Sequence, residues 1–188
     1  MLKRIEEFRK YVAIEGFKNA KIGDVKKFLE EIRKEKPSNV EIQFFDAELI
    51  ATWRHLYFAV LNALTAFKNE CNISKSFEME TMLYASAQRQ IRKAMELLGI
   101  KPKTANIAVL VVGDEKEKVK ATLSAISKRM DAQTDDKILE MSEQKMATIR
   151  KTFKISDKEL EAVTKEDNIE DALTDLVIER MALLVTQR

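Results

Sequence analysis

The run Asn106-Ile107-Ala108-Val109-Leu110-Val111-Val112, closed by Gly113, constrains this chain more than any other stretch. An unbroken apolar segment rich in β-branched residues sends side chains out of both faces of a strand, so both faces must be covered. Two further segments read as strands: Tyr11–Phe17, and Val40–Phe44, where apolar residues alternate with period two. Between them Asp24 stands where an N-cap belongs, ahead of a helix over Val25–Lys34 with Val25, Phe28, Leu29 and Ile32 on one stripe. Lys36-Pro37-Ser38-Asn39 ends that helix, and the chain opens as strand–helix–strand.

Helices account for most of the remainder. Thr52 can cap a helix to about Lys68 whose apolar residues cover most of its circumference, which places it at the centre of the domain. Ser76 suits the cap of a helix over Phe77–Tyr84, and a second runs from Gln88 to Leu98, stopped by Gly99 with Pro102 beyond. A charged helix follows over 114–129, then a loop at 131–136 and a short helix near 142–152. Ser156-Asp157-Lys158-Glu159 is a capping box, and a last helix runs from about 168 to 186. The 188 residues suit one domain, and no repeat or linker divides them. The expectation is an α/β (α+β) fold, a single helix-rich domain over 1–188 packed on a small mixed β-sheet.

Much chemistry is excluded. Four glycines, at 16, 23, 99 and 113, cannot assemble a phosphate loop, a dinucleotide fingerprint or a nucleophile elbow. His55 is the lone histidine, and Cys71 the lone cysteine, so neither a multi-Cys metal site nor a disulfide framework exists. Sixteen residues of helix would set His55 about 24 Å from Cys71, too far for a catalytic pair. Cys71 reads as a small packed apolar residue. No carboxylate pair stands out, so the chain is read as non-catalytic, with no cofactor. No apolar run reaches membrane-spanning length and the charged opening is no secretory signal, which implies a soluble, cytoplasmic protein.

The net charge is +2, from 33 basic and 31 acidic residues, but it is unevenly spread. Residues 54–103 hold 8 basic against 4 acidic, and 114–188 hold 14 against 17. Three stretches repay closer reading. His55, Ala59, Asn62 and Ala66 form a small, polar strip that admits either a neighbouring backbone or a ligand. In the helix after Ala87, Arg89, Arg92 and Lys93 share an outer face, with Ser86, Gln88 and Gln90 adding donors near a helix start. That face is a cradle for a phosphate backbone or a plain solvated surface. The terminal helix carries two apolar stripes, one with Ile169, Leu173, Leu176, Leu183 and Leu184, the other with Val177, Ile178, Met181 and Val185. Two stripes mean either one face for the core and one for a partner, or a wholly buried helix.

At these residues the chain resembles the kinase-binding subunit of the KEOPS complex. The resemblance runs from about Phe44 through Gln187, on Asp46-Ala47, Ile50-Ala51, His55, Ala59 and Ala63, and above all on Glu80 followed by Ala85-Ser86-Ala87-Gln88-Arg89-Gln90-Ile91. Members usually carry Gly where this chain has Ala87; residues 1–43 match weakly, and 153–168 is longer than the family pattern. The resemblance implies a non-catalytic subunit that docks on a PRPK-type kinase/ATPase and stimulates it. It also implies recruitment of tRNA by its 3′ CCA end, for threonylcarbamoyladenosine modification beside the anticodon. On this sequence the kinase-binding position falls on Ile178, Met181, Leu184 and Val185. His55, Ser86, Gln88, Arg89 and Gln90 are candidates for the tRNA tail, joined by Arg92 and Lys93 as backbone cations. Trp53, Arg54 or Tyr84 would be stacking surfaces. Self-association without the kinase is a further expectation; a stand-alone single-stranded RNA-binding module is the alternative.

Overall fold

The structure is a computed structural model that describes residues 1–165 and 168–186, with side chains at the C-terminus described through Leu184. Along the chain run β1 (Leu2–Ile5), β2 (Lys10–Lys18), α1 (Val25–Glu35), β3 (Val40–Asp46), α2 (Trp53–Lys68), α3 (Phe77–Ser86), α4 (Ile91–Leu98) and β4 (Ile107–Gly113). There follow α5 (Lys116–Met130), β5 (Gln133–Thr134), α6 (Glu143–Phe153), α7 (Asp157–Val163) and α8 (Ile169–Ala182). This is the expected α+β, helix-rich class. The chain divides into two compact units, Met1–Ala47 with Gly99–Ile138, and Glu48–Leu98 with Leu139–Arg188.

The first unit holds the sheet, in the order β1-β2-β4-β3, with β5 added beside β2. Every described pairing is antiparallel, where a mixed sheet was expected. β4 lies between β2 and β3 and every one of its residues is buried, as its apolar run requires. Gly113 closes it opposite both Tyr11 and Val40. A Cβ there would stand 3.0 Å from Val119 Cγ2 and 3.2 Å from the Asn39 carbonyl, so a side chain would need its neighbours to give way slightly. Asp24 caps α1 by accepting from the Lys27 N–H at 3.0 Å, and Phe28 meets Phe44 edge to face at 5.4 Å. β1 was not legible: four residues, two of them charged, show no alternation, and they pair with β2 across a connection that includes left-handed Arg9 (φ 52). β5 likewise occupies the expected loop at 131–136.

The second unit is helical. α2 buries Leu56, Ala59, Val60, Ala63, Leu64 and Ala66, while Tyr57, Phe58 and Leu61 are only half-buried, so it is less enclosed than its composition suggests. Thr52 has extended backbone at the helix start, but its hydroxyl makes no capping bond. Ser76 caps α3, Ser142 caps α6, and Ser156 with Glu159 forms the capping box of α7. A cluster of Ala51, Ile149, Phe153, Ile155, Leu160, Leu173, Leu176 and Val177 ties α6, α7 and α8 together.

Candidate nucleic-acid interface and the terminal helix

The basic turn is built by α3 ending abruptly. Ala87 adopts the left-handed conformation (φ 50, ψ 36), its N–H bonding the Tyr84 carbonyl at 2.9 Å while the Gln88 N–H bonds that of Leu83 at 3.1 Å. This closure makes α4 start at Ile91 rather than at Gln88, and leaves 88–90 as a connecting turn.

His55 fixes the turn from beneath. The Ala51 N–H donates to its Nδ1 at 3.2 Å, so Nε2 carries the proton and donates to the Ala85 carbonyl at 2.7 Å. The ring is fully buried and stands edge to face with Phe153 at 5.6 Å. Burial holds its pKa down to about 4, against the Ala85 bond that raises it. Ser86 is also buried, its hydroxyl donating to the Leu83 carbonyl at 3.1 Å. Neither side chain can touch RNA as folded. Both expectations are corrected: these residues shape the turn and do not face solvent.

Arg89, Gln90, Arg92 and Lys93 are exposed, and Gln88 is half-buried. Arg89 donates to the Leu184 carbonyl at 3.2 Å and Arg92 reaches Glu96 at 2.9 Å, whereas Lys93 has no ion pair among the described residues. The first turn of α4 contains no acidic residue. The arrangement offers cations and helix-start amides to an anion, with Glu96 competing for Arg92 but no carboxylate in the first turn itself. Of the expected stacking groups, Tyr84 is buried, its hydroxyl pushed up to about 12 by burial and by Glu80. Arg54 is held by Asp171 and Asp175 at 3.1 and 2.7 Å, and half-buried Trp53 packs against Tyr57.

Glu80 takes a role that residue type alone did not reveal. Its buried carboxylate accepts from the Ile73 N–H and, at 2.6 Å, from the Ser74 N–H, pinning the loop before α3. Lys145 is also buried; its Nζ donates to the Glu140 carbonyl at 3.3 Å, and burial lowers its pKa to about 8. Cys71 is exposed, contrary to the packed residue expected.

The terminal helix departs furthest from expectation. Met181 and Leu184 are fully buried, Ile178 is half-buried, and the Val185 side chain lies outside the described residues. The stripe assigned to a partner is therefore largely core. Among the described residues, the large apolar groups that α8 and the turn after it present are Ile178 in part, Ile169 and Leu183. No helix among the described residues is long and apolar enough to cross a membrane, and no cluster of metal-ligating side chains occurs among them.

The family model described as "Kinase binding protein CGI-121" matches residues 17–184. The chain belongs to that family. The match reaches back past Phe44 to Phe17, taking in β3, α1 and the last two residues of β2. A curated relative, the "Regulatory protein Cgi121" of Methanocaldococcus jannaschii, is 34% identical over 116 residues, covering 62% of this chain and 72% of that protein.

Proposed function

We propose that this chain is a non-catalytic regulatory subunit of a KEOPS-type complex, which binds and activates a PRPK-type kinase/ATPase and helps present the 3′ CCA end of tRNA for threonylcarbamoyladenosine synthesis. Membership of the kinase-binding family over most of the chain carries the reading. The relative's description as a regulatory protein agrees with a subunit that does no chemistry itself. Kinase docking falls on the exposed side of the terminal helix, through Ile178 and Leu183, with buried Met181 and Leu184 supporting that side from within. The tRNA tail falls on Gln88, Arg89, Gln90, Arg92 and Lys93. Phosphates pair with the cations, and a base stacks on a guanidinium plane or on the half-buried face of Trp53. A net charge of only +2 suits weak affinity alone, completed by other subunits. A cytoplasmic location is part of the same proposal.

Isothermal titration of the chain into a purified PRPK-type kinase tests the reading, with Ile178→Arg and Leu183→Arg alongside. One-to-one binding that either variant abolishes while keeping a wild-type circular dichroism spectrum is the expected result. No binding by the folded wild type overturns it, and the exposed basic turn would then favour a stand-alone RNA-binding module.

A further inference from the structure

Ala147, Arg150 and Lys151 fall at i, i+3 and i+4 on one face of α6, with Lys154 the C-cap just beyond the helix, while Ile149 and Phe153 turn into the core. With Ile155 and Ser156 they line an open cavity of about 460 Å³ whose lining contains three cations and no carboxylate. Lys151 and Lys154 are exposed and have no ion pair among the described residues. Arg150 gives one terminal nitrogen to Asp157, but its Nε–H is buried with no partner. Cations in the last turn of a helix meet the negative end of its dipole, which accounts for Arg150 and Lys151. It does not account for the unpartnered Nε–H, nor for a third cation at Lys154, a left-handed position (φ 55) that would better suit Gly or Asn.

We propose that this groove is a second phosphate contact, holding the backbone of the same RNA strand whose 3′ end is assigned to the 88–93 turn. The proposal rests on that assignment. Ala87 in the turn and Ile155 in the groove both pack against one apolar cluster of the helical unit. Two free ammoniums, beside a guanidinium that shares one nitrogen with Asp157, match phosphodiester oxygens and read no base, so the contact adds affinity without sequence preference. Its distinct role is to engage RNA upstream of the terminal nucleotides.

Fluorescence anisotropy across a salt series tests this, using the full chain with a whole tRNA and with a four-nucleotide CCA-ended oligomer. The double variant Lys151→Glu, Lys154→Glu is set against Arg92→Glu, Lys93→Glu, with thermal melts showing that both fold. The groove variant is expected to bind tRNA at least about tenfold more weakly, with a salt slope shallower by about 1.8, the value for two duplex phosphate contacts. It should bind the oligomer as wild type does, whereas the turn variant loses both ligands. Unchanged tRNA affinity and slope in the groove variant, with loss in the turn variant, overturns the groove and leaves the tail assignment standing. No change in either variant overturns both. Equal loss of the oligomer and the tRNA in the groove variant overturns a separate upstream contact, and loss of kinase binding instead of RNA would reassign the groove to an acidic protein surface.

Discussion

The turn at 86–93 and the helix at 169–182 belong to the same helical unit, and a hydrogen bond from Arg89 to the Leu184 carbonyl joins the one to the segment that follows the other. They nevertheless stand at opposite ends of the burial scale. The turn keeps Arg89, Gln90, Arg92 and Lys93 in water above a buried framework of His55, Ser86 and Ala85. The helix puts Leu173, Leu176, Val177 and Met181 inside and shows solvent mainly its acidic residues. The difference lies in what each residue type tolerates. Burying an unpaired guanidinium or ammonium is so costly that a basic cluster is almost always surface, whereas an apolar stripe is satisfied equally by a core and by a partner. Charge therefore locates a surface; hydrophobicity alone does not.

The sharpest way to break that contrast is to put a charge at each place. Leu184→Arg or Met181→Arg sets an uncompensated cation in a fully buried site and should cost about 3–5 kcal/mol, enough to unfold a domain of ordinary stability. Arg92→Glu with Lys93→Glu should change stability by less than about 0.5 kcal/mol. Thermal melts followed by circular dichroism separate the two directly. A cooperative, near-wild-type transition for Leu184→Arg would mean that the terminal segment is not core, and would return the outer stripe to the partner.

His55 sharpens the comparison from below the turn. Its folded pKa of about 4 lies under the unfolded value near 6.5, so the unfolded chain binds the extra proton first. The neutral ring's contribution is whole above pH 6.5 and is lost as pH falls toward 4. By pH 5 that loss is about 2 kcal/mol relative to pH 7. His55→Gln, which keeps a donor and an acceptor but does not titrate, should lose correspondingly less stability between those pH values in urea unfolding. Parallel losses in wild type and variant would show that the ring does not hold the turn in its neutral form.

These residues also show why parts of the molecule were legible and others were not. Local rules act within a few residues, so Asp24, Ser76 and the Ser156–Glu159 box are caps as expected, and β4 is the enclosed strand its composition demands. β1 and β5 exist through pairing with β2, information that no four-residue window contains. The motif around Ala85–Ile91 identified the family, yet it mixed two roles that sequence cannot separate. His55 and Ser86 build the turn, while Arg89 to Lys93 face outward from it. The spacing of Ala147, Arg150, Lys151 and Lys154 is readable in the sequence, but the net-acidic stretch 114–188 around it dilutes the charge.

The smallest effect concerns the hinge between framework and surface. Ala87 holds φ 50, a conformation in which a Cβ crowds the following carbonyl at a cost of about 1 kcal/mol, and Gly removes that crowding. Because the native backbone already accepts this geometry, Ala87→Gly should raise stability by up to about 1 kcal/mol, partly offset by the greater freedom of glycine in the unfolded chain. The methyl also packs against the Ile149–Phe153–Ile155 cluster, and losing it opposes the gain. A rise in melting temperature would show that backbone strain outweighs packing at this position. A fall would show that the cluster holds the turn in place through the Ala87 methyl itself. In that case the exposed cations depend on a core contact rather than on the Schellman closure alone, and the partition between a rigid framework and a freely presented basic surface would move one residue outward along the turn.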